Sequence, residues 1–338
     1  MSLTLKQRWI RITHWEYWSM WTIYIPLAPC YLFHSISSGG IGFFSRTNPA
    51  MPSGGMGLMD KEDMYNLLPE GTFPNTCYFH SAKDFESIRT WLEHNNSQFP
   101  VVIKPAKGCR GRGVDFIHSL DELQDAMATC REKMVLQALI PFNQEVGIFY
   151  VKRPSEERGR ITGIVEKKGI QITGDSKHSV RELITQSERY ALHLNHLEKD
   201  STLNLDEILL TGKTTELSSI GNHARGATFF DVTKQNSERL EQVIDAISSK
   251  IEGFYYGRFD IKFESWDLLE LGEAFSIVEL NGANSEPTHV YDAKHSYFYA
   301  LKEFNKHWKL MAKISRENKS VCEILPWRKA LQLFQDLD

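Results

Sequence analysis

The sequence predicts an α+β fold with antiparallel strand neighbours, and three observations carry that expectation. Strand-like runs and amphipathic helical stretches come in mixed order, without the regular alternation of a doubly wound parallel sheet. Two apolar runs near the C-terminus, GRFDIKF and FSIVELNGA, read as a pair of strands joined by a charged loop. The chain has 338 residues, 41% of them hydrophobic, enough for one large domain or two to three intimate subdomains.

The first element differs from the rest. From Tyr17 to Ser45 no acidic or basic side chain occurs apart from His34. Trp9, Trp15, Trp18 and Trp21 crowd its start, beside Lys6, Arg8 and Arg11. The length would suit a span of ~20 apolar residues, but Pro26 and Pro29 would break or kink such a helix midway. A single span with the body in the cytosol would also put the basic N-terminus outside, against the positive-inside tendency. Residues 9–45 therefore read as a monotopic or re-entrant anchor, aromatics at the interface and basic residues on lipid phosphates. The alternatives are an apolar arm packed on the body and a cleaved signal ending near Ser35 to Ser37.

From about Gly55 the composition is that of a mixed enzyme domain. LMDKEDMYNLLPEGTFPNT reads as a short helix and a turn, FPVVIKP as a buried strand and VDFI as another. Ser119 and Glu122 form a capping box at the head of an amphipathic helix. MVLQALI, EVGIFYVKR and RITGIVEKKG are strands; HSVRELITQSERYA and RLEQVIDAISSKIEG are helices, the second with Gly253 as its C-cap. A long helix, AKHSYFYALKEFNKHWKLMAKIS, closes the body. The expected organisation is an apolar segment and linker over 1–55, a main domain over 56–317 and a tail over 318–338.

Net charge is −4, which disfavours nucleic acid as a partner, since backbone binding wants a basic surface. The cysteines at 30, 77, 109, 130 and 322 are odd in number and show no C-x-x-C spacing. That disfavours a disulfide framework and a zinc site, and favours a reducing, cytoplasmic compartment.

Two stretches carry chemistry. KGCRGRGV offers Gly108, Gly111 and Gly113 with Lys107, Arg110 and Arg112: glycines let backbone N–H groups approach an anion, and the cations neutralise it. The loop lacks a G-x-x-x-x-G-K-[ST] pattern and leads into a strand, so it reads as a hairpin loop over phosphates. Further on, Asp260 lies on one strand, and Glu279 and Asn281 lie two residues apart on the next, where they share a face. Two carboxylates and an amide oxygen are hard ligands suited to Mg²⁺ completed by substrate phosphates.

These residues resemble the ATP-grasp superfamily of carboxylate–amine ligases, in the neighbourhood of D-alanine–D-alanine ligase and cyanophycin synthetase, over roughly Met59 to Tyr291. MDKEDMYNLLPEGTFPNT resembles the helix with the first nucleotide lysine, Lys61. FPVVIKPAKGCRGRGV resembles the strand with the second, Lys104, and the phosphate loop of Lys107, Gly111, Arg112 and Gly113. VLQALIPFNQEVGIFYV resembles the hinge strand that reads adenine through Gln137 and Leu139, with Glu145 at the ribose position. ITGDSKHSVRELI and SIGNHARGATFFDVT resemble segments of cyanophycin synthetase-type enzymes. GRFDIKF and VELNGANSEPTHVYD resemble the metal-binding strands of Asp260, Glu279 and Asn281. Gln137 departs from the glutamate many members carry, though it still offers a donor and an acceptor. The usual pre-domain is replaced here by the aromatic segment and RTNPAMPSGGMGLMDK.

The resemblance implies an ATP-grasp fold, two α+β subdomains clasping ATP, with 56–317 as the ATP-grasp domain. It implies an ADP-forming reaction that activates a carboxylate as an acyl phosphate for attack by an amine, with ATP and Mg²⁺ or Mn²⁺ as cofactors. Arg258 and Arg225 are the candidates for stabilising transferred charge. The partners implied are small-molecule or lipid-linked carboxylates and amines, met in the cytoplasm or at the inner face of a membrane. A small-molecule kinase and a non-catalytic ATP-binding regulator are the alternatives. Cys109 reads as a passive loop residue, His289 and His295 as substrate-side or surface residues, and Lys167 or Lys168 as a substrate lysine or a solvated strand end.

Overall fold

The computed structural model describes residues 3–108, 113–199, 203–218 and 226–335. Helices Leu3–Thr13 (α1) and Trp21–Ser38 (α2) come first, then Lys61–Leu67 (α3). Strand Thr76–Phe79 (β1), helix Phe85–His94 (α4), strands Val101–Pro105 (β2) and Asp115–Ile117 (β3), helix Leu120–Thr129 (α5) and strand Met134–Ala138 (β4) follow. Next are Gln144–Val151 (β5), Arg160–Lys168 (β6), Ile170–Thr173 (β7), Val180–Gln186 (α6), Leu194–Leu197 (α7), Thr214–Ser218 (β8) and Thr228–Asp231 (β9). The chain ends with Glu238–Ser249 (α8), Tyr256–Phe263 (β10), Trp266–Glu270 (α9), Phe275–Asn281 (β11), Tyr297–Glu317 (α10) and Trp327–Gln335 (α11).

Helix starts follow the sequence. Asp60, Ser179, Ser237 and Ser265 each accept a backbone N–H of the turn they open, typically worth ~1 kcal/mol apiece. At α5 the expected box is displaced. Ser119 Oγ accepts from Glu122 N at 3.2 Å, but the Glu122 carboxylate takes the N–H of His118, not of Ser119, at 2.7 Å. The C-cap of α8 also differs: the Lys250 N–H bonds Ile247 O at 3.2 Å and ends the helix there, so Gly253, at φ 86°, closes the following turn. Within the charged loop between β10 and β11 the chain forms α9.

Contacts divide the chain into two units: Met1–Tyr31, Gly163–Gln235 and Pro287–His307 in the first, and Leu32–Thr162, Asn236–Glu286 and Trp308–Asp338 in the second. In the second unit one antiparallel sheet has the order β1-β4-β2-β3. Alternation sends Val101, Ile103, Leu136 and Phe79 to one face, where they pack with Ile88, Leu92, Leu123 and Met127 of α4 and α5. Burying each such side chain stabilises by about 1.5–3 kcal/mol. The opposite face carries Lys104, Gln137, Thr76 and Tyr78. Strands β5, β10 and β11 pair antiparallel in the same unit. In the first unit β7 pairs β8, the second half of β6 pairs β9, and Ile170, Ile172, Val180, Ile184 and Leu194 form the core.

Among the described residues no helix is long and apolar enough to cross a membrane. The two prolines do not break α2. Pro26 has no N–H for the carbonyl of Thr22 four residues back, and the hydroxyl of Tyr297 donates to that carbonyl instead.

Candidate functional site

Strand β10 lies between β5 and β11, and its register gathers charge on one face. Arg258 stands opposite Asn281 and Asp260 opposite Glu279. Directly opposed residues of an antiparallel pair share a face, as do residues two apart. The four side chains therefore share one surface, while Phe259, Ile261 and Leu280 are buried on the other. A bulge after Asp260 sets Val278 out of register, a device that re-aims side chains beside sites. On the other side of β10, Gly147 faces Asp260 and Glu145 faces Lys262, which brings Glu145 onto the same surface. Gly257 lets the end of β11 close in: a Cβ there would lie 2.2 Å from the Asn281 carbonyl oxygen.

Arg258 and Asp260 form a two-point ion pair, Nε to Oδ1 at 2.8 Å and Nη2 to Oδ2 at 3.1 Å, and Nη1 lies 3.4 Å from the Glu286 carbonyl. The side chains are 15% and 5% exposed, so this is not a surface pair. Burial works against the charge on Arg258, but Asp260, with Glu279 and Glu286 behind it, more than restores it and raises its pKa above the usual arginine range.

Lys104 projects from the front face of its sheet and is buried. Burial, then the charge of Lys61, lowers its pKa to about 8 against the opposing pull of Glu279. Its Nζ lies 3.3 Å from the Tyr65 hydroxyl, which donates to Val278 O at 2.8 Å. Tyr65 therefore connects the lysine to the strand that carries Glu279. Met64 supports the same strand, its Sδ 3.1 Å from Leu280 N. Lys61 opens α3; its N–H bonds Ala106 O at 3.0 Å and its Nζ bonds Gly108 O at 3.1 Å, at the root of the glycine loop. Gly113 lies at φ 67°, and a Cβ there would meet the Pro105 ring at 3.0 Å. Gln137 is buried and donates to Thr76 Oγ1 at 2.7 Å. Lys107 and Leu139 are exposed. Gly111, Arg112 and Arg225 lie outside the described residues, as do Cys109 and Arg110.

Sequence reasoning missed Asn48, which is fully buried. Its Nδ2 donates to Gly54 O at 3.0 Å and Tyr256 O at 2.8 Å, and its Oδ1 accepts from Tyr255 N and Tyr256 N, both at 2.9 Å. Gly54 O in turn accepts the N–H of Ala283 at 3.0 Å. One amide thus braces the start of β10 and, through Gly54, the turn just after Asn281. Gly55 and Gly282 meet so closely that a Cβ on either would come within about 2.8 Å of the other's backbone. The glycines of PSGG were visible in the sequence as a loop signal; the use of Asn48 was not, because no periodicity marks it.

In the first unit His289 is buried, which corrects its reading as a surface residue, and burial lowers its pKa to about 4 against the pull of Asp231 and Glu303. His295 Nε2 lies 2.7 Å from Asp231 Oδ2, with its ring stacked on Tyr299. Lys167 is buried, and Lys168 pairs with Glu166 at 3.2 Å.

The donors Asp260, Glu279 and Asn281 are all hard oxygens. Among the described residues no three His, Cys, Asp or Glu side chains cluster to hold a metal, so any site here needs the amide of Asn281. Asn281 Nδ2 is buried with no hydrogen-bond partner among the described residues, a state that calls for explanation in a native strand and fits a side chain that completes its shell with a ligand.

Part of the chain is similar to known proteins. Residues 72–206 match the ATP-grasp domain model, a stretch that includes Lys104, Gln137 and Glu145 but not β10, β11 or Asn48. The cyanophycin synthetase of Crocosphaera subtropica is 28% identical over 261 residues, which cover 68% of this chain and 28% of that protein. The chain thus spans little more than a quarter of that curated relative. Among solved structures, the VanG D-Ala:D-Ser ligase of Enterococcus faecalis matches with a TM-score of 0.43 at 13% identity, over 76% of this chain and 61% of that one. The D-alanine–D-alanine ligase of Bacillus anthracis matches with a TM-score of 0.41 at 14% identity, over 78% and 67%.

Proposed function

We propose that this chain, an ATP-grasp protein related to cyanophycin synthetase, is an ADP-forming ligase. ATP phosphorylates a carboxylate to give an acyl phosphate and ADP, and an amine or similar nucleophile then displaces phosphate. The observation that carries this reading is the single strand face that holds Arg258, Asp260, Glu279 and Asn281, with Lys104 within electrostatic reach of Glu279.

Such a reaction asks the protein mainly for positioning and charge neutralisation. Mg²⁺ or Mn²⁺ held by Asp260, Glu279 and the Asn281 Oδ1 would supply charge for the β- and γ-phosphates. Lys104 and Lys61 neutralise phosphate oxygens, with Lys107, Gly111, Arg112 and Gly113 closing over them. Gln137 and Leu139 take the adenine and Glu145 the ribose. Arg258, held in place by Asp260, turns its remaining N–H donors toward the transferred phosphoryl group, and Arg225 assists at the acceptor. The substrates are small-molecule or lipid-linked carboxylates and amines, met by a chain that sits peripherally at the cytoplasmic face of a membrane.

The test is ADP release from Mg-ATP with pools of carboxylates and amines, with mass analysis of the product. A product formed with loss of water supports a ligase, and one that gains only phosphate supports a kinase. Glu279→Gln combined with Asn281→Ala should lower turnover about 10²–10³-fold without unfolding the chain; turnover like the wild type would refute the site.

A further inference from the structure

Helix α2 leaves large apolar side chains in water: Ile25, Leu32, Phe33 and Ile36 are 66%, 55%, 67% and 75% exposed, while Ile23, Leu27, His34, Ser35 and Ser38 are buried. With Trp21 these exposed apolar side chains recur at helical spacing and form one stripe along a helix about 27 Å long. No charged residue interrupts it. Soluble surfaces rarely expose continuous apolar stripes of this size without a partner.

Charge identifies that partner. Between Leu3 and Met59 the sole acidic residue is Glu16, buried in a pair with Arg189 at 3.1 Å. Helix α10, on which α2 packs through Tyr24 and Phe304 in the first unit and through Ser38 and Ala312 in the second, carries a basic row. Lys302, Lys306, Lys309, Lys313 and Arg316 recur at the spacing of one helix stripe. Lys306 also pairs with the buried Glu303, and Arg316 reaches Ser37 and Ser38 of α2. Exposed apolar side chains beside a row of cations suit an anionic lipid interface. Among the described residues no helix is long and apolar enough to cross a membrane, so such a surface would lie in the plane of the interface.

We propose that the outer face of α2 within the second unit, Leu32, Phe33 and Ile36, with Lys309, Lys313 and Arg316 of the adjoining α10, is a monotopic docking surface for an anionic bilayer. It specifies the peripheral seat of the chain and stands on surface chemistry alone, so vesicle binding and ADP release fail separately. The experiment is co-sedimentation of the full chain with phosphatidylserine-containing vesicles and with pure phosphatidylcholine vesicles. The wild type should bind the anionic vesicles more tightly, and less so as salt rises. Leu32→Glu with Phe33→Glu should lower binding at least about tenfold, and Lys309→Glu with Arg316→Glu should abolish the preference for anionic lipid. All four positions face solvent, and a thermal melt checks that each variant is folded. Wild-type protein that stays in the supernatant with both vesicles overturns the proposal, as does a folded Leu32→Glu, Phe33→Glu variant that binds undiminished. A concentration-dependent dimer in sedimentation velocity, dissolved by Phe33→Glu, also overturns it and assigns the face to a second copy.

Discussion

The shared face of β10 and β11 and the outer face of α2 depart from ordinary burial in opposite directions. On the strands, charged side chains are taken out of water: Arg258 and Asp260 are mostly buried, and Lys104 is buried nearby. On the helix, apolar side chains are left in water while serines and a histidine are buried. The difference lies in how each departure is compensated. The strand charges find partners inside the chain, Arg258 in Asp260 and Lys104 in the Tyr65 hydroxyl. Nothing among the described residues covers the α2 stripe. A departure balanced internally can be probed by breaking the balance; one that is not balanced internally points to something outside the chain.

The largest expected effect comes from breaking the internal balance. Asp260→Ala leaves the Arg258 guanidinium buried without its carboxylate, which should cost about 3–5 kcal/mol in urea unfolding. Arg258→Met with Asp260→Leu removes both charges and should recover most of that loss while leaving Mg-ATP turnover abolished. If the double variant stays as unstable as the single one, the pair is not the source of the stability.

Asn48 offers a smaller break at the same place. Asn48→Ala removes the side-chain partner of the N–H groups of Tyr255 and Tyr256 and one of the two donors to the Gly54 carbonyl, at about 1–3 kcal/mol for each buried group left unsatisfied. In a chain still folded, the start of β10 and the turn after Asn281 lose their brace. The Mg²⁺ dependence of ATP binding should then weaken more than metal-free ATP binding does, measured by calorimetry. Equal weakening of both would mean that Asn48 serves stability alone.

Lys104 sharpens the comparison through protons. In the nucleotide-free protein burial lowers its pKa to about 8, so above that pH it is largely neutral. A triphosphate favours the charged form, so ATP binding takes up a proton there and weakens as pH rises, by up to about tenfold per pH unit. Buffers of different ionisation enthalpy should report that uptake in calorimetry, and Lys104→Met should abolish it. Linkage to stability has the same origin: the buried lysine destabilises the fold progressively as pH falls from 10.5, its ordinary value, through about 8.

What the sequence made legible follows from periodicity. Glu279 and Asn281 two apart on a strand, Arg258 and Asp260 two apart on its neighbour, and Lys104 at the end of an apolar run could all be placed on faces, because strand alternation fixes where side chains go. The register that sets Asp260 opposite Glu279 was not legible, since it depends on the bulge at Val278. Tyr65 looked like any apolar residue of a short helix, yet its hydroxyl bridges Lys104 to Val278. Asn48 works from an irregular turn, where neither period applies. The apolar character of α2 was plain, but which side would face out was not: that depends on α10 offering its own partners to Thr22 and Ser38.

The smallest effect is expected where the departure has no internal partner. Phe33→Ser removes a large aromatic ring from the middle of α2. In a core such a loss would cost about 3–5 kcal/mol. Phe33 is 67% exposed, so the isolated chain should lose no more than about 0.5 kcal/mol, read as an unchanged urea midpoint at low protein concentration. Helix propensity does not confound the result, since Phe and Ser are nearly equivalent there. A loss of core size at low concentration would mean that the ring is covered by the chain itself, and α2 would then be an ordinary packed arm. A loss that appears only as concentration rises would mean that the cover is a second copy. An unchanged midpoint together with lost vesicle binding would place the partner of Phe33 outside the protein, in the lipid.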